Sequence, residues 1–237
     1  MFKRILALVW LRYKIILSNK SILLQVLMPF AFTYFYKYLI ETQGKISNQQ
    51  LLVFLMLCLP FSLTLAVGNP IAIILSEEKE KNNLQTLLLS GIKEYEYILS
   101  TLFLPFILTF VFIETTPLIL GIVIVDSFTY IIIAFLTALS IILCYLLIGL
   151  VAKSQVAAQI ISLPVMLMVS FLPMLSGFDK TVALVTDFSY MGLFTKFFTE
   201  YEDFSWSKSL NPILTVLVWM ILLLSLNIIT IRKKKFS

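Results

Sequence analysis

Few residues in this 237-residue chain could do chemistry, and they occupy only a few places. Alternating charge fills 77–81, and one carboxylate, Glu114, interrupts a long apolar stretch. The chain has no histidine, which removes histidine-based zinc, serine and haem chemistry. No two glycines stand five apart with a lysine after the second, so the phosphate-binding loop of ATPases is missing. We therefore expect no enzymatic activity and no bound cofactor, and we interpret the charged residues as contact sites.

Six apolar stretches must position these residues. Crossing about 30 Å of hydrocarbon takes roughly 20 apolar residues as a helix, the form that satisfies its own backbone polar groups. The predicted spans cover about 21–40, 51–75, 98–124, 128–151, 156–176 and 210–231. A composition of 60% hydrophobic and 13% charged residues agrees. The sequence predicts an all-α, polytopic protein with one membrane domain, 21–237. Cys58 and Cys144 fall inside spans, where neither a disulfide nor a metal site is expected.

The distribution of basic residues predicts the orientation. With six spans, the amino terminus, the loops 77–96 and 152–155 and the tail from residue 232 lie on one side of the membrane. They hold 13 of the 18 lysines and arginines. Because basic residues near span ends stay inside the cell, both termini are predicted to be cytoplasmic. The net charge of +5 then reflects topology, so we expect the lipid bilayer as a partner and no nucleic acid.

Residues 1–20 predict an amphipathic helix ahead of the first span. Lys3, Arg4 and Lys14 share one narrow face of the helical wheel, apolar residues cover the other side, and Arg12 lies off the basic stripe. Such a helix lies along the cytoplasmic leaflet with its cations toward anionic headgroups. Two interpretations stay open: a basic anchor, or an elbow helix that also touches a cytoplasmic partner. Arg4, Arg12 and Lys14 are the candidate residues.

The loop after the second span predicts a second amphipathic helix, over about 83–97. Asn82 is a suitable N-cap with Gln85 three residues later, and leucines then recur at helical spacing. We expect this helix to be broken or bent near Gly91 and to run on into the third span. The alternative is a solvated connector that lies on the membrane.

This loop resembles a segment of the transmembrane subunits of type-2 ABC transporters, the ABC-2 permease family. There an acidic-basic run precedes a Gly-Thr-Leu-Glu element, a leucine pair and a Ser/Thr-Pro turn. Here the run is 77–81, the element reads Asn82-Asn83-Leu84-Gln85, the leucines are Leu87 and Leu88, and the turn is Ser90-Gly91-Ile92. The elbow helix, the six spans, the internal termini and a long external segment before the last span also match the family. Leu172-Pro173-Met174-Leu175-Ser176-Gly177 resembles the family's exit from span five.

The resemblance implies a half-transporter with the type V exporter-like architecture, in a bacterial plasma membrane. A separate cytoplasmic ABC ATPase, which binds ATP and Mg²⁺, would drive it, and a second permease copy or a paralogous permease would complete it. The predicted coupling residues are Glu77, Glu78, Lys79, Glu80, Leu84, Leu87, Leu88, Gly91 and Ile92. The implied substrate is hydrophobic or amphipathic, with antimicrobial and other amphipathic peptides as the class that small Gram-positive permeases export. The alternative is a standalone channel or secondary transporter without an ATPase.

Two further features are candidates for the transport path. Eleven residues separate Glu114 from Asp126, which by helical rise places it roughly 17 Å from the outer end, near mid-membrane. It is a pathway or subunit-interface carboxylate, or an acid that shares a hydrogen bond. The external segment 177–208 predicts a short aromatic helix at the outer interface, either re-entrant or a surface anchor. Its external gate candidates are Phe194, Phe197, Phe198 and Tyr201.

Overall fold

The computed structural model describes residues 2–42, 44, 47–83, 86–87 and 91–235, and the regular elements among them are all helical. The helices are α1 Phe2–Ser18, α2 Lys20–Thr42, α3 Asn48–Ser62, a π-helical segment Leu63–Gly68, α4 Asn69–Glu80, α5 Glu94–Leu120, α6 Ser127–Val151, α7 Gln155–Leu175, α8 Lys180–Asp187, α9 Gly192–Thr199, the 3₁₀ turn Trp206–Ser209 and α10 Leu210–Lys235. Six helical stretches among these residues are long and apolar enough to cross a membrane. The all-α fold with six spans is therefore confirmed.

The second span, α3 with the π segment and α4, forms the centre of the bundle together with α6. These two are the most buried of the six spans, whereas α2 and α10 are the most peripheral. Small residues allow the close approach. A side chain at position 149 would collide with the backbone of Ala72, and one at position 68 would collide with the ring of Tyr145, so glycine at both positions lets the helices approach closely.

The second span widens into a π-helix at its middle. Pro70 has no N–H to donate, so a carbonyl one turn earlier loses its usual partner and the helix takes up an extra residue. The widened turn is almost entirely buried. It separates α3, which leads from one end of the bundle, from α4, which leads to the other.

The third span ends before the predicted limit of 124, at Leu120. Gly121 adopts a left-handed conformation, φ +75°, and its N–H bonds the Leu118 carbonyl while that of Ile122 bonds the Pro117 carbonyl. This is a Schellman motif, which only glycine closes without strain. The chain from Ile122 to Val125 is consequently non-helical. The prediction that the span reaches 124 is wrong because apolar composition alone does not register this stop signal.

The two ends of the bundle carry different elements. At one, called here the α1 end, α1 packs against α5 and α2, next to the end of α4 and the α6–α7 turn. At the other, the far end, α8 and α9 fold back on the bundle between α7 and α10. Whereas α8 is largely exposed, α9 is buried against α6, α10, α3 and α7.

Candidate functional site

The charged run 77–81 at the α1 end is the most connected polar feature of the described chain. It forms the last turn of α4 and the residue after it, so its side chains project around the helix in different directions. Glu78 points toward α1 and α5, Lys79 toward the end of α6, and Glu80 toward the start of α7. One short segment therefore ties four helices together.

A buried ion pair joins α1 to the end of α4. The Arg12 guanidinium, 2% exposed, donates to the Glu78 carboxylate, which is 6% exposed. The Tyr97 hydroxyl, on the first turn of α5, donates to the other Glu78 oxygen. Arg12 also donates to Thr101 Oγ1 at 3.2 Å, and its Cζ lies 4.9 Å from the centre of the Tyr97 ring. Glu78 thus receives donors from two helices at once.

Electrostatics keep Arg12 charged in this site. Burial acts to lower the pKa of Arg12, but Tyr97 and Glu78 outweigh it, and the pKa lies above its usual value. Its Nε is buried without a hydrogen-bond partner and borders a cavity of about 20 Å³ between α1, α4 and α5. That volume is enough for about one water molecule. The cluster is a structural joint, since nothing in it is exposed to a ligand.

Lys79 and Glu80 bind the turn between α6 and α7. The Lys79 ammonium donates to the Gly149 carbonyl at 3.0 Å and to the carbonyls of Leu150 and Ala152, where α6 ends. Glu80 accepts from the Gln155 N–H at 3.0 Å, at the first residue of α7. A cation thus meets a helix carboxyl end and an anion meets a helix amino end, the arrangement that helix dipoles favour.

The structure separates the predicted coupling residues into two groups. Glu78 is buried and Lys79 is turned inward, as just described. Glu77 instead pairs with Lys81 on the outside, at 2.6 Å. Ile92 and Leu87 are half-buried and Gly91 is exposed, while Leu84 and Leu88 lie outside the described residues. Within the run, the residues able to meet a soluble partner are therefore Glu77, Glu80 and Lys81.

The predicted continuous helix over 83–97 is interrupted. Asn82 adopts a left-handed turn, φ +57°, and Gly91 another, φ +86°. Ile92 and Lys93 are not helical, and α5 begins at Glu94, where the Glu96 carboxylate accepts from the Lys93 N–H at 3.0 Å. The bend expected near Gly91 is present, but the continuity with the third span is wrong, because this cap starts a new helix.

A pocket of about 350 Å³ lies between α1 and the segment after α4. Leu11 and Ile15 from α1 form one wall, and Glu77, Asn83 and Leu87 form the other. Arg4 reaches across to the same segment, donating to the Gly91 carbonyl at 3.2 Å. The pocket offers an apolar recess with a charged rim, large enough for one or two side chains of a partner.

The candidate residues of the elbow helix are also of two kinds, exposed and buried. Arg4 and Lys14 are exposed, together with a row of apolar side chains that includes Trp10 and Leu17, so this face suits the membrane surface. Arg12 is buried, and the prediction that groups it with headgroup-facing cations is wrong. The sequence feature that distinguishes Arg12 from the exposed cations is its position off the basic stripe of the helical wheel. Sequence reasoning missed Tyr97 and Thr101 altogether.

Glu114 lies on α5, six residues before the helix ends at Leu120. By helical rise this places it about 9 Å from the far end of the span, not near its middle. Because the helix stops before Gly121, Glu114 lies closer to the helix end than the count to Asp126 indicates. The carboxylate is exposed on the outside of the single chain, and the described residues offer it no hydrogen bond or ion pair.

The gate candidates at the far end are mostly interior residues. Phe194, Phe197 and Phe198 are buried on α9, and the Tyr201 hydroxyl accepts from the Val125 N–H at 2.8 Å. Because these rings face inward, they pack the bundle and do not rest on the membrane surface. Beside them is a pocket of about 380 Å³ whose walls are apolar, from Leu51, Ile122 and Phe198, and acidic, from Glu200, Glu202 and Asp203.

These features define an all-helical, multi-pass membrane protein with polar joints at one end and an aromatic cap at the other. Comparisons with models of known protein families, with curated proteins and with solved structures find no match to this chain.

Proposed function

We propose that this chain is the transmembrane permease subunit of an ATP-driven ABC-2 type exporter in a bacterial plasma membrane. A separate cytoplasmic ATPase, carrying ATP and Mg²⁺, docks at the α1 end, which is cytoplasmic. Two permeases and two ATPases make the working assembly. The chain itself hydrolyses nothing.

The observation that carries this proposal is the joint at Glu78. An outside contact with Glu77, Lys81 or Leu87 acts on a segment whose preceding turn is bound to α1, α5, α6 and α7 at once. A movement of this segment is passed on to the helices, because the buried ion pair and the helix-end contacts bind all of them to the same turn. Transmission of a rigid-body movement from a motor to the spans needs such a connection.

The substrate class that we propose is hydrophobic or amphipathic, with amphipathic antimicrobial peptides as the leading case. The described spans hold few charged residues away from their ends, so a wet pore for small ions has little to line it. The far-end pocket combines apolar and acidic walls, a combination that agrees with an amphipathic molecule leaving the bundle. Cells that lack the protein should secrete less of such a peptide or resist it less well.

The first experiment is to purify the chain from its native membrane in mild detergent and identify its companions by mass spectrometry. We expect a soluble-type ATPase in stoichiometric amount. If the chain purifies alone in several detergents, the exporter proposal fails and a standalone channel or secondary transporter replaces it.

The docking surface is tested by replacing Leu87 and Leu88 with Asp. The carboxylate at position 87 enters the apolar recess, and together with the one at position 88 it should abolish ATPase binding and coupled ATPase activity without loss of membrane insertion. The matched control is Leu184→Asp on α8, an exposed leucine at the far end, which should leave ATPase binding unchanged. Full coupled activity in the double variant would exclude this segment as the dock.

A further inference from the structure

The pocket of about 380 Å³ at the far end, called here the far-end pocket, lies between three segments that are distant in sequence. Its walls come from the start of α3, the non-helical chain 121–125 and the end of α9 with the turn after it. The Val125 N–H donates to the Tyr201 hydroxyl at 2.8 Å and so holds two of these segments together. The volume falls within the range of sites that bind small molecules, roughly 300–1,000 Å³.

The apolar wall of this pocket includes two side chains that the described chain leaves exposed. The left-handed turn at Gly121 ends α5, and in the non-helical chain that follows Val123 and Val125 are both 86% exposed. Leu51 from α3 and Phe198 from α9 complete the wall. A ligand with an apolar part would remove these side chains from water, which favours its binding.

Carboxylates form the rim of the pocket. Glu200, Glu202 and Asp203 line it, and no lysine or arginine is among the described residues that do. Glu200 has the Lys196 ammonium 4.0 Å away, whereas Glu202 and Asp203 make no ion pair in the part of the chain that the structure describes. The described residues therefore leave at least two negative charges at the pocket without a cation.

The whole far end carries charge of the same sign. Segments 37–48, 121–127 and 177–209 hold seven carboxylates against five lysines, a net charge of −2 in a chain whose total is +5. A cleft lined by charge of one sign raises the local concentration of ions of the opposite sign. Charge complementarity therefore indicates a cationic ligand.

An organic cation fits this pocket better than a metal ion does. Ca²⁺ and Mg²⁺ need several oxygen ligands that converge on one point at about 2.0–2.6 Å. Among the described residues, which include all three rim carboxylates, no group of three acidic, histidine or cysteine side chains is placed to hold a metal ion. The carboxylates instead lie beside an apolar wall, an arrangement that matches a molecule with a cationic and an apolar part.

We infer that the far-end pocket binds an amphipathic cation, a molecule with primary ammonium or guanidinium groups on an apolar body, such as a basic amphipathic peptide. Glu202 and Asp203 accept hydrogen bonds from its cationic groups, which are strong because both partners are charged. Val123 and Val125 contact its apolar part. The inference rests on the proposed function for its biological role, and it narrows the substrate class there from amphipathic molecules to cationic ones.

The experiment measures peptide binding to the full chain in phosphatidylcholine nanodiscs, without an ATPase. The probe is an amphipathic peptide amide of lysine, leucine and one tryptophan, and the control is the same peptide with its lysines acetylated. We expect the cationic peptide to bind with roughly tenfold higher affinity, the sum of a few exposed ion pairs. Its affinity should fall severalfold between about 0.05 M and 0.5 M salt, because exposed charges are screened.

The carboxylates are tested with a matched pair of double variants. Glu202→Gln with Asp203→Asn should lower the affinity for the cationic peptide by roughly threefold to tenfold and leave that for the acetylated peptide unchanged. Glu41→Gln with Asp187→Asn removes the same charge from exposed far-end positions outside the pocket. This control should change the affinity by less than about twofold, because distant surface charges are screened.

Cysteine protection locates the bound peptide. In a chain with Cys58→Ala and Cys144→Ala, Val123→Cys places a single thiol at the pocket, and bound peptide should slow its alkylation severalfold. Phe188→Cys, at a position that is 76% exposed at the end of α8 and outside the pocket, should react at the same rate with and without peptide.

Five results would overturn the inference: equal affinity for the acetylated peptide, equal losses in the two double variants, no protection of Val123→Cys, displacement of the peptide by micromolar Ca²⁺, or displacement by phosphatidylethanolamine added to the discs. The last two would assign the pocket to a metal ion and to a lipid headgroup. ATPase co-purification separates this inference from the proposed function. Peptide binding without an ATPase partner would contradict the exporter alone, and an ATPase partner without peptide binding would contradict only the ligand of the pocket.

Discussion

The joint at the α1 end makes a quantitative prediction, tested by a double-mutant cycle on Arg12 and Glu78. The single change Glu78→Leu leaves a guanidinium that is 2% exposed without its carboxylate and frees the Tyr97 hydroxyl. Breaking a buried pair from one side costs about 3–5 kcal/mol, because an uncompensated charge stays in the interior. Arg12→Met alone should lower the free energy of unfolding by a similar amount, because Glu78 then stays buried without its cation.

The free energy of unfolding of the double variant, Arg12→Met with Glu78→Leu, should be much closer to that of the native protein than the sum of the single changes predicts. Replacing both members of a buried pair by apolar residues of similar size is often neutral or stabilising. The expected coupling free energy is therefore about 3 kcal/mol or more.

The assay has a global and a local readout. Unfolding in mixed micelles by increasing amounts of a denaturing detergent gives the free energy of each variant, and hydrogen exchange of α1 amides reports whether that helix stays docked. The control cycle is Lys81→Met with Glu77→Leu, an exposed pair in the same turn, which should show no measurable coupling.

Two outcomes would refute this reasoning. Additive losses in the Arg12 and Glu78 cycle, with coupling below about 0.5 kcal/mol, would mean that the pair does not form. Unchanged exchange of α1 in Glu78→Leu would mean that the apolar contacts of α1 with α5 hold it without the ion pair, and the joint could not carry movement.

Three further predictions concern other parts of the fold. Gly68→Ala places a Cβ 2.6 Å from the Tyr145 ring and should cost about 1–3 kcal/mol of stability, with a smaller loss in a Tyr145→Leu background, measured by the same detergent titration. Lys79→Met should cost about 1–3 kcal/mol, because it leaves the carbonyls around Gly149 without a donor, and should speed hydrogen exchange at the α6–α7 turn. Asp179 caps α8, and its backbone bonds from Val182 and Thr181 hold its pKa below the usual 3.8. Its stabilisation is present above pH 3.8 and is lost as the pH falls through the lowered pKa, so exchange of α8 should rise severalfold in acid, whereas Asp179→Asn should show no such dependence.

The span count could be predicted because a bilayer imposes one demand on every segment. A run of about twenty apolar residues without charge can be recognised without knowledge of the rest of the fold. The helices at 127–151 and 155–175 accordingly start and end within one residue of the predicted limits. The ends that were missed are those set by local backbone geometry. Gly121 stops α5 through a left-handed turn in the middle of an apolar run, which average hydropathy does not detect.

The charged run shows where sequence reasoning reached its limit. Alternating charge in a loop normally indicates a solvated face, and the sequence predicts that all four residues of 77–80 contact the ATPase. Its partners are distant in sequence: Arg12 lies 66 residues before Glu78, and Gly149 lies 70 residues after Lys79. Which charges turn inward depends on how α1 and α6 pack around α4. That packing cannot be obtained from local periodicity.

The polar contacts indicate that the two ends of the bundle are held together in different ways. At the α1 end, buried charges join α1, α4 and α5, and helix-end contacts add α6 and α7, so these helices can only move together. At the far end, α9 is held mainly by aromatic packing, and its polar contact with the next element is the hydrogen bond from Lys196 Nζ to the Lys208 carbonyl. Between them lies the π segment of the second span, the type of helix defect that concentrates at functional sites. If the proposed function holds, a force applied beside Glu77 reaches the helices at the α1 end through these contacts, and the π segment is the place in the second span where regular α-helical hydrogen bonding is interrupted.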